Sequence, residues 1–334
     1  EVMMKMVADM GMQVSLPDEP PDHVTTHVIT VLEGIKTVAK NTRILYAAGC
    51  EYNSPSRDGF PEAIKAAKAA DVAIVVVGGK SGLTPDCTCG EMRDRVDLGL
   101  PGVQEDLVKA IYETGKPVVL VLVDGRPLCL GWIVDKIPAI IEAWLPGEEG
   151  GRAVADVLFG DYNPGGKLPV TFPRKPGQIP VYYAHKPSGS RSQLWGDYVD
   201  CSTNPTFDFG YGLSYTTFML SNLRLAPKRV SVDGKISIKV DVANTGTRNG
   251  EEVVQLYVND IVASVTRPVK ELKGFKRISL EPAEKKTVEF ELPVHKLGFH
   301  DQDLKYTVEP GMFKIMVGNS SRDIALEDQF EVIT

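Results

Sequence analysis

The feature that most constrains this chain is a change in its hydrophobic period. In the first half, apolar residues come in unbroken runs, such as 72–77 and 118–123, separated by stretches with helical spacing. In the last third they alternate with polar residues, as in Ile236-Ser237-Ile238-Lys239-Val240-Asp241-Val242. A continuous apolar run suits a strand buried on both faces of a helix-covered parallel sheet. Strict alternation suits a strand with one face in a core and the other in water. One layer cannot satisfy both patterns, and 334 residues are enough for two domains.

The first region is expected to be α/β, a mostly parallel sheet sandwiched by helices. Residues 30–40, 61–70, 101–114 and 150–159 have helical spacing, and residues 42–48, 71–77, 116–123 and 139–144 read as strands. From about Gly160 the prolines at 164, 169, 173, 176, 180, 187 and 205 interrupt the chain too often for long helices. The remainder, with strands expected at 236–242, 254–258, 287–292 and 312–317, suggests an all-β sandwich of immunoglobulin or fibronectin type III kind. The expected division is 1–160 for the α/β domain, 161–219 for a proline-rich loop and linker region, and 220–334 for the sandwich.

Composition excludes several function classes. A formal net charge of −7, from 37 basic and 44 acidic residues, argues against nucleic acid or an anionic membrane as partner. No apolar run approaches the roughly 20 residues of a bilayer span. The five cysteines are too few and scattered for a disulfide framework. Cys87-Thr88-Cys89 is too closely spaced for zinc and has no histidine nearby, so no metal is expected. Neither a GxGxxG nor a Walker pattern follows Gly78-Gly79, and no serine sits in a GxSxG elbow.

Two segments could carry chemistry. The loop after residues 71–77 holds Glu91-Met92-Arg93-Asp94-Arg95, and open α/β sheets place their sites beyond the carboxyl ends of strands. A neighbouring arginine would lower a carboxyl pKa, whereas a general acid needs it raised. Glu91 is therefore the better acid candidate, and Asp94 with Arg95 is expected to form a supporting ion pair; a solvated charged loop is the alternative. The loop 183–200 holds Lys186, Arg191 and Trp195, residue types suited to contacting a sugar or, equally, to packing on their own domain.

Taken together, five stretches carry a resemblance. They are Glu91-Met92-Arg93-Asp94-Arg95 running into Leu100-Pro101-Gly102-Val103-Gln104, then Trp144-Leu145-Pro146-Gly147-Glu148-Glu149-Gly150-Gly151, then Gly160-Asp161-Tyr162-Asn163-Pro164-Gly165-Gly166-Lys167-Leu168-Pro169. Phe209-Gly210-Tyr211-Gly212-Leu213-Ser214-Tyr215 and Asn244-Thr245-Gly246 follow. From about Val31 onward the chain resembles the C-terminal half of a family 3 glycoside hydrolase of β-glucosidase type.

The resemblance implies a retaining hydrolase of terminal β-linked glucose that needs no cofactor. It implies that Glu91, at the family's Glu-x-x-Asp-Arg spacing, is the acid/base. The Asp nucleophile would lie in an N-terminal barrel outside this chain, since neither Asp161 nor Asp197 matches the barrel motif. The expected partners are a β-glucoside or β-linked gluco-oligosaccharide, the barrel domain, and a second copy in a homodimer. A secreted or periplasmic setting is favoured over a cytoplasmic one. β-Xylosidase or another exo-β-glycosidase of the family, and a non-catalytic carbohydrate-binding scaffold, stand as alternatives.

Overall fold

The computed structural model describes residues 27–187 and 196–334. The chain separates into two compact units, one up to Tyr162 and one from Asn163.

The first unit opens with α1 (Val31–Val38), whose N-cap is a reciprocal box. The Glu33 N–H donates to Thr30 Oγ1 (3.2 Å), and the Thr30 N–H donates to Glu33 Oε2 (2.8 Å). Two donors that a helix start leaves unpaired are thereby satisfied. α2 (Phe60–Lys68) precedes β1 (Ala73–Gly78), α3 (Gln104–Tyr112) precedes β2 (Val118–Val123), and α4 (Trp132–Lys136) precedes β3 (Ala139–Glu142). The helix α5 (Gly150–Phe159) closes the unit.

The three strands form one parallel sheet in the order β1-β2-β3, with Ala73 opposite Val118 and Val119 opposite Ala139. Leu120, Val121 and Leu122 are at most 1% exposed. Successive strand side chains point to opposite faces, so both faces of central β2 are covered, as its unbroken apolar run requires. The helix α3 packs against β1 and α2, and α1 packs against α5. The last contact needs glycine on both sides. A Cβ on Gly34 would stand 2.0 Å from the Gly151 carbonyl oxygen, and one on Gly151 would stand 2.1 Å from the Thr30 carbonyl oxygen.

One expected strand does not form. Residues 42–48 lie outside the sheet: strand-like composition alone does not make a strand, and they join neither edge of β1-β2-β3. Helix α4 is an element that the periodicity did not predict. Its Trp132 donates to Glu105 Oε1 (2.6 Å) and meets Tyr112 edge to face (5.9 Å), fastening it to α3.

In the second unit, the described residues of 163–217 contain no strand beyond an isolated bridge between Phe172 and Phe207. Asn163 ties this segment together. Its Oδ1 accepts from Ser214 Oγ (2.9 Å) and the Tyr215 N–H (2.7 Å), and its Nδ2 donates to the Asn249 carbonyl (2.8 Å). Lys167 forms a largely buried pair with Glu252 at 2.8 Å.

The β-rich part follows, in two main sheets. β4 (Phe218–Ala226), β6 (Lys235–Asn244) and β9 (Lys285–Pro293) form an antiparallel three-stranded sheet. β5 (Arg229–Ser231), β7 (Gly250–Asp260), β8 (Glu271–Leu280), β12 (Gly311–Gly318) and β13 (Ile324–Ile333) form a five-stranded sheet in the order β5-β13-β12-β7-β8. A small pair, β10 (Phe299–His300) and β11 (Tyr306–Thr307), lies apart. The period of two is obeyed: Ile236, Ile238, Val240 and Val242 on β6 are fully buried, and Phe313, Ile315 and Val317 on β12 are buried with them. Both sheets contribute to that one core, in which Phe313 and Phe330 pair in register and stack at 5.5 Å.

Candidate active site

The site is assembled at the carboxyl end of the parallel sheet, where loops from three strands converge. Gln104, at the start of α3, grips the end of β1. Its Oε1 accepts from the Gly78 N–H (2.7 Å), and its Nε2 donates to the carbonyls of Gly78 (2.7 Å) and Tyr52 (2.8 Å). A buried amide that satisfies both main-chain groups of one residue fixes where the chain leaves the sheet.

Beyond Gly78 the loop folds back on itself. Ser81 bridges Cys89, and Lys80 accepts at its carbonyl from Thr88 (2.9 Å) and Cys89 (3.2 Å). Thr88 is buried, and its Oγ1 accepts from the Lys80 N–H (3.0 Å). Glu91 follows this folded base, exposed and with no hydrogen bond or ion pair among the described residues. Met92, beside it, is exposed and held at φ +58°, a left-handed conformation that costs energy for any residue with a Cβ. Arg93 then returns its guanidinium to the Leu83 carbonyl.

The loop after β2 is stitched to this one. Arg126 donates to the Arg93 carbonyl, and the Cys129 N–H donates to the Leu98 carbonyl (2.8 Å). Among the described residues no ion pair joins Asp94 to Arg95, contrary to expectation; Arg95 instead lies within electrostatic reach of Asp124. The reason is topological. The buried carboxylate that follows β2 offers a cation more than the exposed neighbour in sequence does.

Periodicity did not single out two buried carboxyl groups at this end of the sheet. Asp124 is 1% exposed, with Oδ1 unpartnered. Burial raises its pKa, against the opposing Gly125 and Arg126 N–H groups and the charges of Arg126 and Arg95. Glu142, the last residue of β3, is pushed up to about 7 by burial and by the Asp124 charge. One of its oxygens accepts from the Trp144 N–H (2.9 Å), which acts the other way, and the other is unpartnered. Trp144 is also left-handed, at φ +53°. The available signal was position: each residue directly ends an apolar strand run at the sheet's functional end.

The other sugar-contact candidates belong to the second unit. Lys186 donates to the Thr266 carbonyl (2.6 Å), a contact inside that unit. Its neighbour His185 accepts at its carbonyl from the Val269 N–H (3.0 Å). Arg191 and Trp195 lie outside the described residues.

Residues 5–215 match the glycosyl hydrolase family 3 C-terminal domain, and residues 252–321 match a fibronectin type III-like domain. The chain belongs to glycoside hydrolase family 3. This family 3 chain is 49% identical over 297 residues to a beta-xylosidase from Formosa agariphila, covering 89% of this chain and 40% of that protein. It is 41% identical to a periplasmic beta-glucosidase from Salmonella typhimurium, covering 93% of this chain and 43% of the other. Among solved structures, a beta-glucosidase from Listeria innocua in complex with glucose superposes with a TM-score of 0.84 at 34% identity, covering 92% of this chain and 42% of that one. The family 3 chain thus spans less than half the length of these relatives.

Proposed function

We propose that this chain is the C-terminal part of a retaining β-glucosidase acting on terminal, non-reducing β-D-glucosyl residues, with Glu91 as acid/base. The observation that carries the reading is the position of Glu91. It stands exposed on the loop beyond β1, in the family's Glu-x-x-Asp-Arg spacing, on a base fixed by Gln104 and by the return of Arg93 to Leu83. Retaining hydrolysis needs a second carboxylate about 5–5.5 Å away as nucleophile, which the reading places in an N-terminal barrel outside these residues. In the first step Glu91 protonates the leaving glycosidic oxygen. In the second it takes a proton from the water that attacks the glycosyl-enzyme. The helix-sandwiched sheet and the immunoglobulin-like sandwich, divided at about 160 and 220, complete this reading. The substrates of the whole enzyme in this reading are β-glucosides.

A second reading is favoured by one observation. The relative that is 49% identical is a beta-xylosidase, so a terminal β-xylosyl residue is the rival substrate. Xylose lacks the hydroxymethyl group of glucose, and the ratio of kcat/KM for aryl β-glucoside and aryl β-xyloside in the full-length enzyme decides between them. In that enzyme Glu91→Gln is expected to lower turnover of cellobiose by about 10²–10⁴-fold. An activated aryl glucoside suffers less in the first step, and azide restores part of the second with formation of a β-glucosyl azide. Cellobiose turnover at the parent rate in this variant removes Glu91 from the mechanism.

A further inference from the structure

We infer that Arg126 is a positioning residue for the acid/base loop, holding the backbone turn at Met92 from which Glu91 projects. The inference rests on the reading of Glu91 given above. Arg126 comes from the loop after β2, whereas Glu91 comes from the loop after β1, so the contact crosses between the ends of adjacent strands. Its guanidinium donates to the Arg93 carbonyl, two residues past Glu91 and one past Met92. That carbonyl belongs to the peptide that joins Arg93 to Asp94, one residue beyond the left-handed Met92.

A left-handed, exposed methionine does not hold its conformation by itself, because its side chain packs on little and its Cβ opposes the backbone. Contacts on the flanking residues must over-determine it. The structure supplies two on Arg93: the Arg126 guanidinium on its carbonyl, and its own guanidinium on Leu83. The Arg93 N–H adds a long bond to the Gly90 carbonyl (3.3 Å).

The Arg126 guanidinium is in turn committed to this place. Its Nε is buried without a hydrogen-bond partner, as is that of Arg93, so neither arginine is held by an alternative acceptor at that atom. Asp124, two residues earlier and almost wholly buried, lies within electrostatic reach of Arg126, and Glu142 lies beside Asp124. Arg95 approaches Asp124 from the Glu91 loop itself. Thus a buried carboxylate lies within electrostatic reach of one arginine from each loop, and Arg126 ties its own loop to the main chain at residue 93. Charge supplies the attraction, and the hydrogen bond supplies the direction.

The test uses the full-length enzyme in which this chain is joined to its barrel, with cellobiose and an activated aryl β-glucoside as substrates. Arg126→Met is expected to lower kcat for cellobiose by about 10–100-fold and to spare the activated substrate, because only the former needs a well-aimed proton. KM changes little. Arg126→Lys, which keeps one donor, is expected to recover part of the loss. Met92→Gly, which removes the Cβ that opposes the turn, is expected to recover part of it in the Arg126→Met background. In a Glu91→Gln background, Arg126→Met is expected to add almost nothing. Equal losses on both substrates, or full additivity with Glu91→Gln, overturn the positioning role. If Arg126→Met unfolds the enzyme, the substrate selectivity of Arg126→Lys and its rescue by Met92→Gly decide in the same way. A Glu91→Gln variant without leaving-group dependence fails the acid/base reading instead, so the two failures are told apart.

Discussion

Asp124 directly follows β2 and Glu142 ends β3, so two adjacent parallel strands deliver two carboxyl groups to the same end of one sheet. Each keeps one oxygen without a partner among the described residues, and the charge on Asp124 helps to push Glu142 up to about 7. The end of the sheet that suits chemistry is therefore also its electrostatically costly end.

The cost has a sign that can be measured. Glu142 has an ordinary pKa near 4.5 and a folded value of about 7, so between these values the native state holds a proton that the unfolded chain has lost. Its contribution to stability is full below about 4.5 and is lost as pH rises through about 7. Glu142→Gln is expected to flatten this part of the stability profile and to stabilise the first unit at pH 8 by on the order of 2 kcal/mol. Urea unfolding at pH 5 and pH 8, followed by tryptophan fluorescence, checks it; an unchanged profile means that Glu142 is ionised in the native protein throughout.

Gly79 is expected to tolerate no side chain. A Cβ there would stand 2.7 Å from Asp124 Oδ2 and 2.8 Å from Thr88 Oγ1, both on buried residues. Gly79→Ala therefore destabilises by about 1–3 kcal/mol through overpacking and displaces the loop base. Hydrogen exchange at Lys80 and Thr88 should rise in the variant. Protection equal to the parent's shows that Asp124 has room to move.

Lys167→Met tests a different kind of burial. Lys167 and Glu252 pair at 2.8 Å with side chains only 12% and 7% exposed. Removing one partner strands a buried charge, at a cost of about 3–5 kcal/mol. The double variant Lys167→Met, Glu252→Gln is expected to recover much of that loss, because the stranded charge is gone. Thermal unfolding of Lys167→Met, Glu252→Gln and the double variant reads the coupling directly.

Ile238→Ala probes the sandwich core alone. Ile238 is fully buried on β6, among residues from both sheets. The lost burial and the residual cavity are expected to cost about 2–5 kcal/mol. In the full-length enzyme, kcat on an aryl β-glycoside at low temperature should match the parent's, since no site residue lies in this core. A fall in kcat without unfolding would tie the sandwich to the chemistry.

Some elements were legible because their signals are local. Helix α5 falls on the expected residues, since Gly150 and Gly160 bound its apolar pattern. The alternating strands β6, β7, β9 and β12 contain the expected segments. Strand β8 was not legible: at the sheet's edge its burial is irregular, a register shift interrupts it opposite Leu256 and Tyr257, and Phe275 is 66% exposed. Residues 42–48 failed in the opposite sense, carrying strand-like composition without a ladder to join. Of the candidate site, Glu91 was singled out by its motif. Arg126, Asp124 and Glu142 were not, because the contact between Arg126 and Arg93 joins residues 33 apart that only the pairing of β1 with β2 makes neighbours.

The amino-acid sequence by itself determined where the chain is layered and how. The unbroken apolar run 118–123 is satisfied inside a covered parallel sheet and the period-two runs on one face of a core, and both rules act over a few residues, although Val72 and Val76 of the run 72–77 stay exposed. Which polar groups meet was decided by the tertiary structure. Once β1, β2 and β3 lie parallel and in register, the loops at their carboxyl ends must share one crowded and partly dry space. There the long-range Coulomb and hydrogen-bond energies choose the partners: Arg95 lies in reach of Asp124 and makes no ion pair with Asp94, and Arg126 donates to the Arg93 carbonyl, two residues past Glu91. Those energies depend on distance through space and on the exclusion of water, neither of which is a property of adjacency along the chain.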